Sequence, residues 1–423
     1  MQKGIISRLI IHEILISLKN EFSNFDLLFE NQIKQKGINK SDKRMVHSVV
    51  FCSMRNYAII NRIVELYVKK INYRSNNYFL LLSAIAQIIF LSFKEYAVVD
   101  STVELSKRIN NTNPKFINGV LRKVIKNKSI IKLDNNFSDL PKWFIKKTKY
   151  WDNEQKNYFV KTIKEKPSLH IVFKKEYKIN KLKFKGVNTS DHSILLDSYD
   201  KIERIEDYKK GMWWIQDFST MLPLHVLHNI KNKLVIDMCA APGGKTFQAL
   251  NKEAMVQSFE INNKKIIIMK KNLKRLGYNI EIINNDICKI NLKKKFDVVL
   301  LDAPCSSVGT IRRNPEIFYR KQPPNFNNII NIQDQLLNKA KTLVKKNGII
   351  LYMVCSFLKE ECENQINSFL KNNKNFKLEK FNSDNEFYKK FINKTGNIYI
   401  LPQKVHEKFF IDGFFAAKIN KNN

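Results

Sequence analysis

Short apolar runs alternate with longer stretches of helical periodicity from Lys233 onward. The apolar runs are Leu234–Met238, Met255–Phe259, Ile280–Ile283, Val298–Leu301 and Ile349–Val354. The helical stretches between and after them are Asn263–Leu276, Ile329–Val344 and Lys359–Leu370. Strands that alternate with helices form βαβ units, which predicts an α/β domain with a mainly parallel sheet covered on both faces. Ligands bind beyond the carboxyl ends of such strands, so the residues that follow each run are the candidates for a site.

A polar or glycine-rich cluster follows each of these runs. In chain order the clusters are DMCAAPGGKT (Asp237–Thr246), Glu260, Asp286, DAPCSS (Asp302–Ser307) and Cys355-Ser356. One such cluster alone would be weak support. Their occurrence at successive strand ends is typical of a binding crevice.

The glycine loop matches a phosphate-binding P-loop only in part. Gly244-Lys245-Thr246 resembles the end of that motif, and the apolar run into Asp302 resembles a magnesium-holding strand. However, Cys239 stands where a P-loop has its first glycine, and Pro242 lacks an N–H that could cradle phosphate. The dinucleotide fingerprint GxGxxG is also absent. The loop favours a ligand with a nucleoside and an amino-acid carboxylate but no phosphate, which describes S-adenosylmethionine.

Two acidic residues after the next strands fit the same ligand. Glu260 could accept both ribose hydroxyls, and Asp286 could meet an adenine amino group. The alternative is that each merely caps a helix or lies in solvent. Their joint placement after successive strands favours the ligand site over that alternative.

The charge balance indicates an anionic partner. The chain carries 74 Lys and Arg against 39 Asp and Glu, a formal net charge of +35. A surplus of this size repels itself unless an anion neutralises it, and nucleic acid is the commonest such partner. Genome base composition could explain abundant lysine, but hardly the shortage of compensating acid.

The cysteines and apolar segments exclude several classes of protein. The six cysteines form no CxxC pair, which argues against a zinc site and a disulfide framework, and we expect no metal. The longest apolar run, Phe79–Leu91, is shorter than the roughly 20 residues that span a bilayer and predicts a buried helix. Charged residues near the start, Lys3 and Arg8 among them, do not fit a signal peptide. We therefore expect a soluble, cytoplasmic protein with no membrane partner.

Changes in residue composition and periodicity along the chain predict four segments. Residues 1–126 have amphipathic helical periodicity and predict an all-α domain, and the polar stretch 127–140 predicts a linker. Residues 141–215 mix helical and β-like pieces and predict a small α/β element. Residues 216–423 contain the strand and helix alternation.

Several of these segments resemble a known family. DMCAAPGGKT (237–246), LLDAPCSSVGTIRRNPE (300–316), YMVCSFLKEECENQI (352–366) and DGFFAAKI (412–419) are similar to successive motifs of the bacterial 16S ribosomal RNA cytosine-5 methyltransferases, the Sun/NOP family. The resemblance extends from Gln216 to the last residue. The first domain resembles the RNA-binding NusB antitermination fold, and KFINGVLR (115–122) is similar to its last-helix signature. This pairing is typical of the branch that modifies ribosomal RNA.

The resemblance implies a fold, a reaction and a set of site residues. It implies a Rossmann-like methyltransferase domain preceded by the NusB-like domain, with residues 141–215 as an RNA-binding element. The reaction would be S-adenosylmethionine-dependent methylation of cytosine carbon 5 in 16S rRNA, naked or in an early small-subunit particle, by a monomer. The methyl-donor pocket would be lined by Cys239, Ala240, Ala241, Pro242, Gly243, Gly244, Lys245, Glu260, Asp286 and Asp302. Cys355 would be the nucleophile, and Cys305 would assist product release.

The chemistry explains why such a site needs a cysteine. Cytosine carbon 5 is a poor nucleophile, and addition of a thiolate at carbon 6 makes it electron-rich. This requires an accessible thiol with a lowered pKa. Asp302 could assist at N3, either by carrying a proton or through a neighbour. The base must leave its stack, and Arg312 and Arg313 could hold its phosphates or form a solvated basic pair.

Local sequence does not decide between the two cysteines. Both follow a strand at the same crevice, and Pro304-Cys305 resembles the nucleophile dipeptide of DNA cytosine methyltransferases. The resemblance to the RNA family favours Cys355. The chain departs from that family at Val354, where threonine is usual, and at Leu169–Phe173, where Arg-Val-Asn is expected.

Two other classes of function stay open at this point. One is a non-catalytic, antitermination-like RNA-binding factor with an inactive methyltransferase domain. The other is a P-loop ATPase that acts on RNA, which Cys239 disfavours. Binding of S-adenosylmethionine against binding of ATP would separate the three.

Overall fold

The computed structural model describes residues 3–21, 25–134, 136–179, 183–198, 201–227 and 229–422. The chain folds into two units, one made of Met1–Lys164 and Asn314–Pro324 and the other of Glu165–Arg313 and Asn325–Asn423. The α-helices are α1 Lys3–Asn20, α2 Phe25–Lys36, α3 Lys40–Arg55, α4 Tyr57–Tyr67, α5 Asn76–Ile85, α6 Glu95–Ser106, α7 Pro114–Lys126, α8 Lys142–Lys147, α9 Asn153–Thr162, α10 Phe218–His225, α11 Gly244–Asn251, α12 Asn263–Leu276, α13 Glu316–Tyr319, α14 Phe326–Leu343, α15 Glu363–Asn372 and α16 Glu386–Lys389. The β-strands are β1 Leu169–Phe173, β2 Gly186–Ser190, β3 Ser193–Leu196, β4 Trp213–Ile215, β5 Leu234–Asp237, β6 Met255–Phe259, β7 Ile282–Ile283, β8 Phe296–Asp302, β9 Val344–Val354, β10 Phe376–Glu379, β11 Ile398–Ile400, β12 Gln403–His406, β13 Phe409–Ile411 and β14 Phe414–Lys421.

Side-chain caps and apolar stripes explain the helices of the first unit. The side chains of Asn39, Ser75 and Asn113 accept a backbone N–H in the first turn of α3, α5 and α7, which satisfies a donor that the helix itself cannot pair. The amphipathic α7 buries one face, whereas α5 is buried at every residue from Tyr78 to Ile85. The prediction of a buried helix in Phe79–Leu91 is confirmed. In the described part of the chain, no helix is long and apolar enough to cross a membrane.

The helical unit extends past the predicted boundary at residue 126. The predicted linker 127–140 contains two 3-10 turns, and Asp139 in the second forms an ion pair with Arg62. The following helices α8 and α9 bury Phe144 and Phe159, whose rings stack 5.1 Å apart. The segment predicted as one α/β element over 141–215 is therefore divided at Lys164. Large aromatic side chains need a common core, and these ones join the helical unit.

A second difference is the segment Asn314–Pro324, which belongs to the helical unit although the sequence places it among methyltransferase motifs. Tyr319 in this segment is fully buried. Its hydroxyl donates to the carbonyl of Leu15 at 3.0 Å, and its own carbonyl accepts from Lys19 Nζ at 2.7 Å. Contacts between residues about 300 positions apart leave no local sequence pattern that could predict them.

The second unit contains a mainly parallel sheet of strand order β10-β14-β9-β8-β5-β6-β7, with β11 paired to β14. The pairs among β9, β8, β5, β6 and β7 are parallel, and β14 is antiparallel to β9. Side chains alternate between two apolar clusters, as β9 shows, where Leu351 and Met353 belong to one cluster and Ile350 and Tyr352 to the other. The predicted Rossmann-like fold with a mainly parallel sheet is confirmed.

An antiparallel sheet of strand order β2-β3-β1-β4 precedes the large one in the second unit. Its four strands are the β-like part of the segment 141–215, which the sequence predicted to mix helical and β-like pieces. All five residues of β1 are buried, so their side chains are occupied by packing and offer no surface for RNA.

Candidate active site

The carboxyl ends of the parallel strands bring the sequence clusters together around two cavities. The first, of about 570 Å³, is called here the Glu260 cavity and is lined among others by Ala241, Glu260, Asn262, Asp286 and Cys305. The second, of about 510 Å³, is called the Arg313 cavity and is lined among others by Gln216, Asp217, Asp237, Lys245, Arg313 and Asp412. Cys239, Asp302 and Cys355 line both. The two cavities therefore adjoin at a cysteine that follows β9.

The glycine loop between β5 and α11 contributes to both cavities. Ala241 lines the Glu260 cavity, whereas Ala240, Pro242, Gly244 and Lys245 line the Arg313 cavity. Gly243 forms the turn with a φ of +113°. A Cβ at this position would lie only 2.2 Å from Cζ of the Phe247 ring. No residue with a side chain could replace Gly243 without rebuilding the loop.

Lys245 is buried and binds the acid at the end of β8. Its Nζ donates to Asp302 Oδ2 at 2.6 Å. Burial opposes the charged form, yet the charge and hydrogen bond of Asp302 and the charges of Cys355 and Asp237 together outweigh burial and raise the pKa of Lys245 above its ordinary value. The junction of the two cavities therefore contains an ammonium–carboxylate pair.

Glu260 is held by two backbone hydrogen bonds and also lines the Glu260 cavity. Its Oε1 accepts the N–H of Asn262 at 2.8 Å, and its Oε2 accepts the N–H of Ala241 at 3.2 Å. Two backbone amides thus fix a carboxylate that is 7% exposed and lines the cavity. A carboxylate has about four acceptor sites, so acceptors remain for a ligand.

Asp286 also accepts a hydrogen bond from a nearby backbone amide and lines the Glu260 cavity. Its Oδ1 accepts the N–H of Cys288 at 3.0 Å at the start of a 3-10 turn. The side chain is 31% exposed and lines the Glu260 cavity. Glu260 and Asp286 are therefore brought to one cavity, as predicted from their positions after successive strands.

Asp237, which ends β5 and begins the glycine motif, lines the Arg313 cavity and was not predicted from the sequence as a candidate. Asp237 is 1% exposed, and burial raises its pKa to about 7. Thr246 Oγ1 donates to its Oδ2 at 2.7 Å, while its Oδ1 has no hydrogen-bond partner among the described residues. An acid directly at a strand end was the signal that could have identified it.

The two cysteines at the strand ends are neighbours, and the predicted lowered pKa of Cys355 is wrong for the free protein. Both are partly exposed. A hydrogen bond with Cys305, burial and the Asp302 carboxylate raise the pKa of Cys355 well above its ordinary value, against the opposing effect of Lys245. The structure therefore holds Cys355 as a neutral thiol.

The expectations for Arg312 and Arg313 also need correction. Arg312 is fully buried and pairs with Asp412 Oδ1 at 2.8 Å, so it is neither a phosphate contact nor a solvated cation. Arg313 donates to Asp412 Oδ2 at 2.5 Å and to Asp217 Oδ2 at 2.8 Å. Arg312 lines neither of the two cavities described above, whereas Arg313 lines the Arg313 cavity. Its acidic partners lie about 100 residues away in the chain, which no local pattern could show.

Val354 lies outside the site. It is fully buried in the apolar cluster that contains Cys362, so the position before Cys355 packs against the core instead of donating a hydrogen bond. Among the described residues, no group of three or more His, Cys, Asp or Glu side chains could hold a metal ion.

Family models match both parts of the chain. Residues 224–420 match the model described as 16S rRNA methyltransferase RsmB/F, and residues 6–126 match the NusB family. The chain belongs to the RsmB/F family of 16S rRNA methyltransferases. It is thus an S-adenosylmethionine-dependent methyltransferase with an rRNA substrate.

Curated relatives agree with this assignment. The chain is 30% identical to ribosomal RNA small subunit methyltransferase B of Shewanella oneidensis over 285 residues, which are 63% of this chain and 66% of the relative. It is 26% identical to the protein of the same name from Photorhabdus laumondii over 409 residues, 92% of each chain.

Solved structures share the fold. The alignment with the crystal structure of PH0851 covers 99% of this chain and 98% of the PH0851 chain, with a TM-score of 0.76 and 21% sequence identity. The alignment with the crystal structure of NSun6 from Pyrococcus horikoshii with SFG covers 67% of this chain and 98% of the NSun6 chain, with a TM-score of 0.57 and 18% sequence identity.

Proposed function

We propose that this RsmB/F methyltransferase transfers a methyl group to carbon 5 of a cytosine in 16S rRNA through a covalent adduct with Cys355. The observation that carries the proposal is the position of Cys355, which lines both cavities. A base in one cavity and a methyl donor in the other would both lie beside this thiol. Such an arrangement suits nucleophilic catalysis, in which reacting groups are held at the same point.

The Glu260 cavity would hold S-adenosylmethionine. Its residues fit that group: a buried carboxylate fixed by two amides suits the ribose hydroxyls, and Asp286 suits the adenine amino group. The volume of about 570 Å³ is within the usual range of small-molecule sites. When bound, the cofactor supplies an electrophilic methyl group.

The Arg313 cavity would receive the flipped cytosine. Asp302 Oδ2 accepts a hydrogen bond from Lys245 Nζ at 2.6 Å, so Asp302 would act through this neighbour. Lys245 would then stabilise the charge that develops on the ring. Arg313, fixed by two carboxylates, would orient the nucleotide.

The two cysteines would act in sequence. In the free protein the Cys355 thiol is neutral and hydrogen-bonded to Cys305, so we propose that it loses its proton only as the target base enters. The thiolate then forms a bond to carbon 6, and carbon 5 accepts the methyl group. A base then takes the carbon 5 proton, the electron pair of that bond re-forms the ring double bond, and the sulfur–carbon bond breaks so that Cys355 leaves as a thiolate, with Cys305 assisting this release.

The positive surface and the NusB-like domain would bind the RNA. A net charge of +35 predicts affinity dominated by phosphate neutralisation, and we propose that the protein acts as a cytoplasmic monomer on naked or early-assembled 16S rRNA. A non-catalytic, antitermination-like factor is the second candidate. The presence of Cys305 and Cys355 in the lining of the Glu260 cavity disfavours it, because a factor without catalysis needs no thiols there.

The test is bisulfite sequencing of a 16S rRNA transcript incubated with the protein and S-adenosylmethionine. We expect one cytosine to become resistant to deamination, and none without the methyl donor. Labelled methyl groups that enter the RNA without any resistant cytosine would contradict the carbon 5 assignment. No methyl transfer at all would favour the non-catalytic factor.

A further inference from the structure

A fully buried carboxylate connects the two cysteine loops. Glu361 lies seven residues after the end of β9 and is 0% exposed. Its Oε1 accepts the N–H of Ser306 at 2.8 Å, and its Oε2 accepts the Ser306 hydroxyl at 2.5 Å and the Ser356 hydroxyl at 2.6 Å. Ser306 follows Cys305, and Ser356 follows Cys355. One side chain therefore holds the residue next to each thiol.

The same glutamate is itself firmly anchored. Gln333 of α14 donates to Glu361 Oε1 at 3.3 Å and to the Pro304 carbonyl at 3.0 Å. The Tyr352 hydroxyl donates to the Glu361 carbonyl at 2.8 Å. The Cys305 loop is thus fixed to a helix and to the Cys355 loop through one hydrogen-bonded network, which we name the Glu361 clamp (Ser306, Gln333, Ser356 and Glu361).

The chemistry of the clamp points to function as well as folding. The donors to the Glu361 carboxylate are neutral amide and hydroxyl groups, and burial of an ionised carboxylate is costly unless every acceptor is satisfied. An apolar side chain could fill the same space without this cost. Unlike an apolar side chain, a carboxylate fixes the direction of the groups that donate hydrogen bonds to it. Here those groups include the donors of Ser306 and Ser356, the residues that follow the two cysteines.

We propose that Glu361 is a positioning residue that sets the relation between the Cys305 and Cys355 thiols. It lines neither cavity, so it acts through Ser306 and Ser356 and touches no substrate. The inference rests on the proposed roles of the two cysteines. A thiol that must reach carbon 6 while its neighbour serves product release needs both loops at a fixed spacing, and misplacement by about 1 Å can slow a reaction about 100-fold.

The experiment measures single-turnover methyl transfer to a 16S rRNA transcript, with saturating protein and S-adenosylmethionine, for Glu361→Ala and Glu361→Gln. We expect Glu361→Ala to slow the transfer by about 10- to 100-fold, because both serines lose their common acceptor. Glutamine has the same shape, and its N–H groups can donate to serine hydroxyls that turn round. We therefore expect Glu361→Gln to restore the rate to within about fivefold of the unmodified protein.

A double-mutant cycle separates positioning from general loss of structure. Ser306→Ala and Ser356→Ala should each slow transfer in the unmodified protein and add little in the Glu361→Ala background, since both act through the same carboxylate. Affinity for S-adenosylmethionine should be unchanged in all of them. If Glu361→Ala fails to fold, the two serine variants and Glu361→Gln still decide the matter. Glu363→Gln removes a charge from the same segment and serves as the control, with an unchanged rate.

Glu361→Ala with a rate within twofold of the unmodified protein would overturn the proposal, as would fully additive serine effects. The readout is methyl transfer and does not depend on an adduct being trapped. A Cys355→Ala variant that still transfers methyl groups would therefore refute the proposed nucleophile, and a slow Glu361→Ala would separately support the clamp.

Discussion

The Glu260 cavity and the Arg313 cavity meet at Cys355, yet they are built from different kinds of sequence information. The first takes its polar residues from the ends of consecutive parallel strands, as with Glu260 after β6 and Asp286 after β7. The second takes Asp217, Arg313 and Asp412 from three distant parts of the chain. The difference shows that the repeat of a parallel sheet positions the polar residues of the Glu260 cavity, whereas the Arg313 cavity depends on pairing between remote segments of the chain.

The largest expected effect concerns the ion pairs of the Arg313 cavity. Asp412→Ala should lower the free energy of unfolding by about 3–5 kcal/mol, because it leaves the fully buried Arg312 without its carboxylate. Urea denaturation followed by circular dichroism measures this. Glu206→Ala in the exposed Lys183–Glu206 pair is the matched control, with an expected loss of no more than about 1 kcal/mol. Equal losses in the two variants would mean that the buried pairs contribute no more than surface pairs.

The next effect concerns the Glu260 cavity and should appear in binding more than in folding. Glu260→Ala should weaken S-adenosylmethionine binding by about 1.5–3 kcal/mol, because hydrogen bonds to a charged acceptor are lost. Calorimetric titration of the protein gives the dissociation constant. The exposed Glu281, at the other side of β7, provides the control variant Glu281→Ala. An unchanged dissociation constant in Glu260→Ala would leave Glu260 only its hydrogen bonds to Ala241 and Asn262.

A smaller effect should come from the buried acid at the end of β5. Because burial raises the pKa of Asp237 to about 7, the folded protein binds a proton that the unfolded chain has already released. Stability from this group is thus greatest at low pH and is lost as the pH rises from the unfolded pKa through about 7.

Asp237→Asn tests this linkage, since the amide keeps the shape and cannot ionise. Between about pH 5 and pH 8 the unmodified protein should lose on the order of 2 kcal/mol relative to Asp237→Asn, measured by urea denaturation at each pH without cofactor. The same pH dependence in both proteins would show that Asp237 does not titrate in this range.

The fold of the second unit could be predicted because it repeats. Apolar runs of strand length alternate with helical stretches, and acids or glycines follow each run, so the parallel sheet and the position of Glu260 and Asp286 followed from the order of residues. The alternation along β9 then decides which side chains face each apolar cluster.

The parts that sequence could not predict depend on distant contacts or on environment. The return of Tyr319 to the helical unit and the pairing of Arg312 with Asp412 each join residues about 100 or more positions apart. The raised pKa of Cys355 depends on a thiol neighbour and on burial that no local motif records. A sequence motif identified Cys355 as the candidate nucleophile, but only the packing around it shows that the pKa of its thiol is raised.

The adducts formed by the two cysteine variants test the central claim most directly. Cys355→Ala and Cys305→Ala are each incubated with 16S rRNA transcript and S-adenosylmethionine, and covalent complexes are separated on denaturing gels. We expect no complex with Cys355→Ala and an accumulating, slowly migrating complex with Cys305→Ala, because methylation proceeds there while release stalls. A complex with Cys355→Ala and none with Cys305→Ala would contradict the account by making Cys305 the nucleophile.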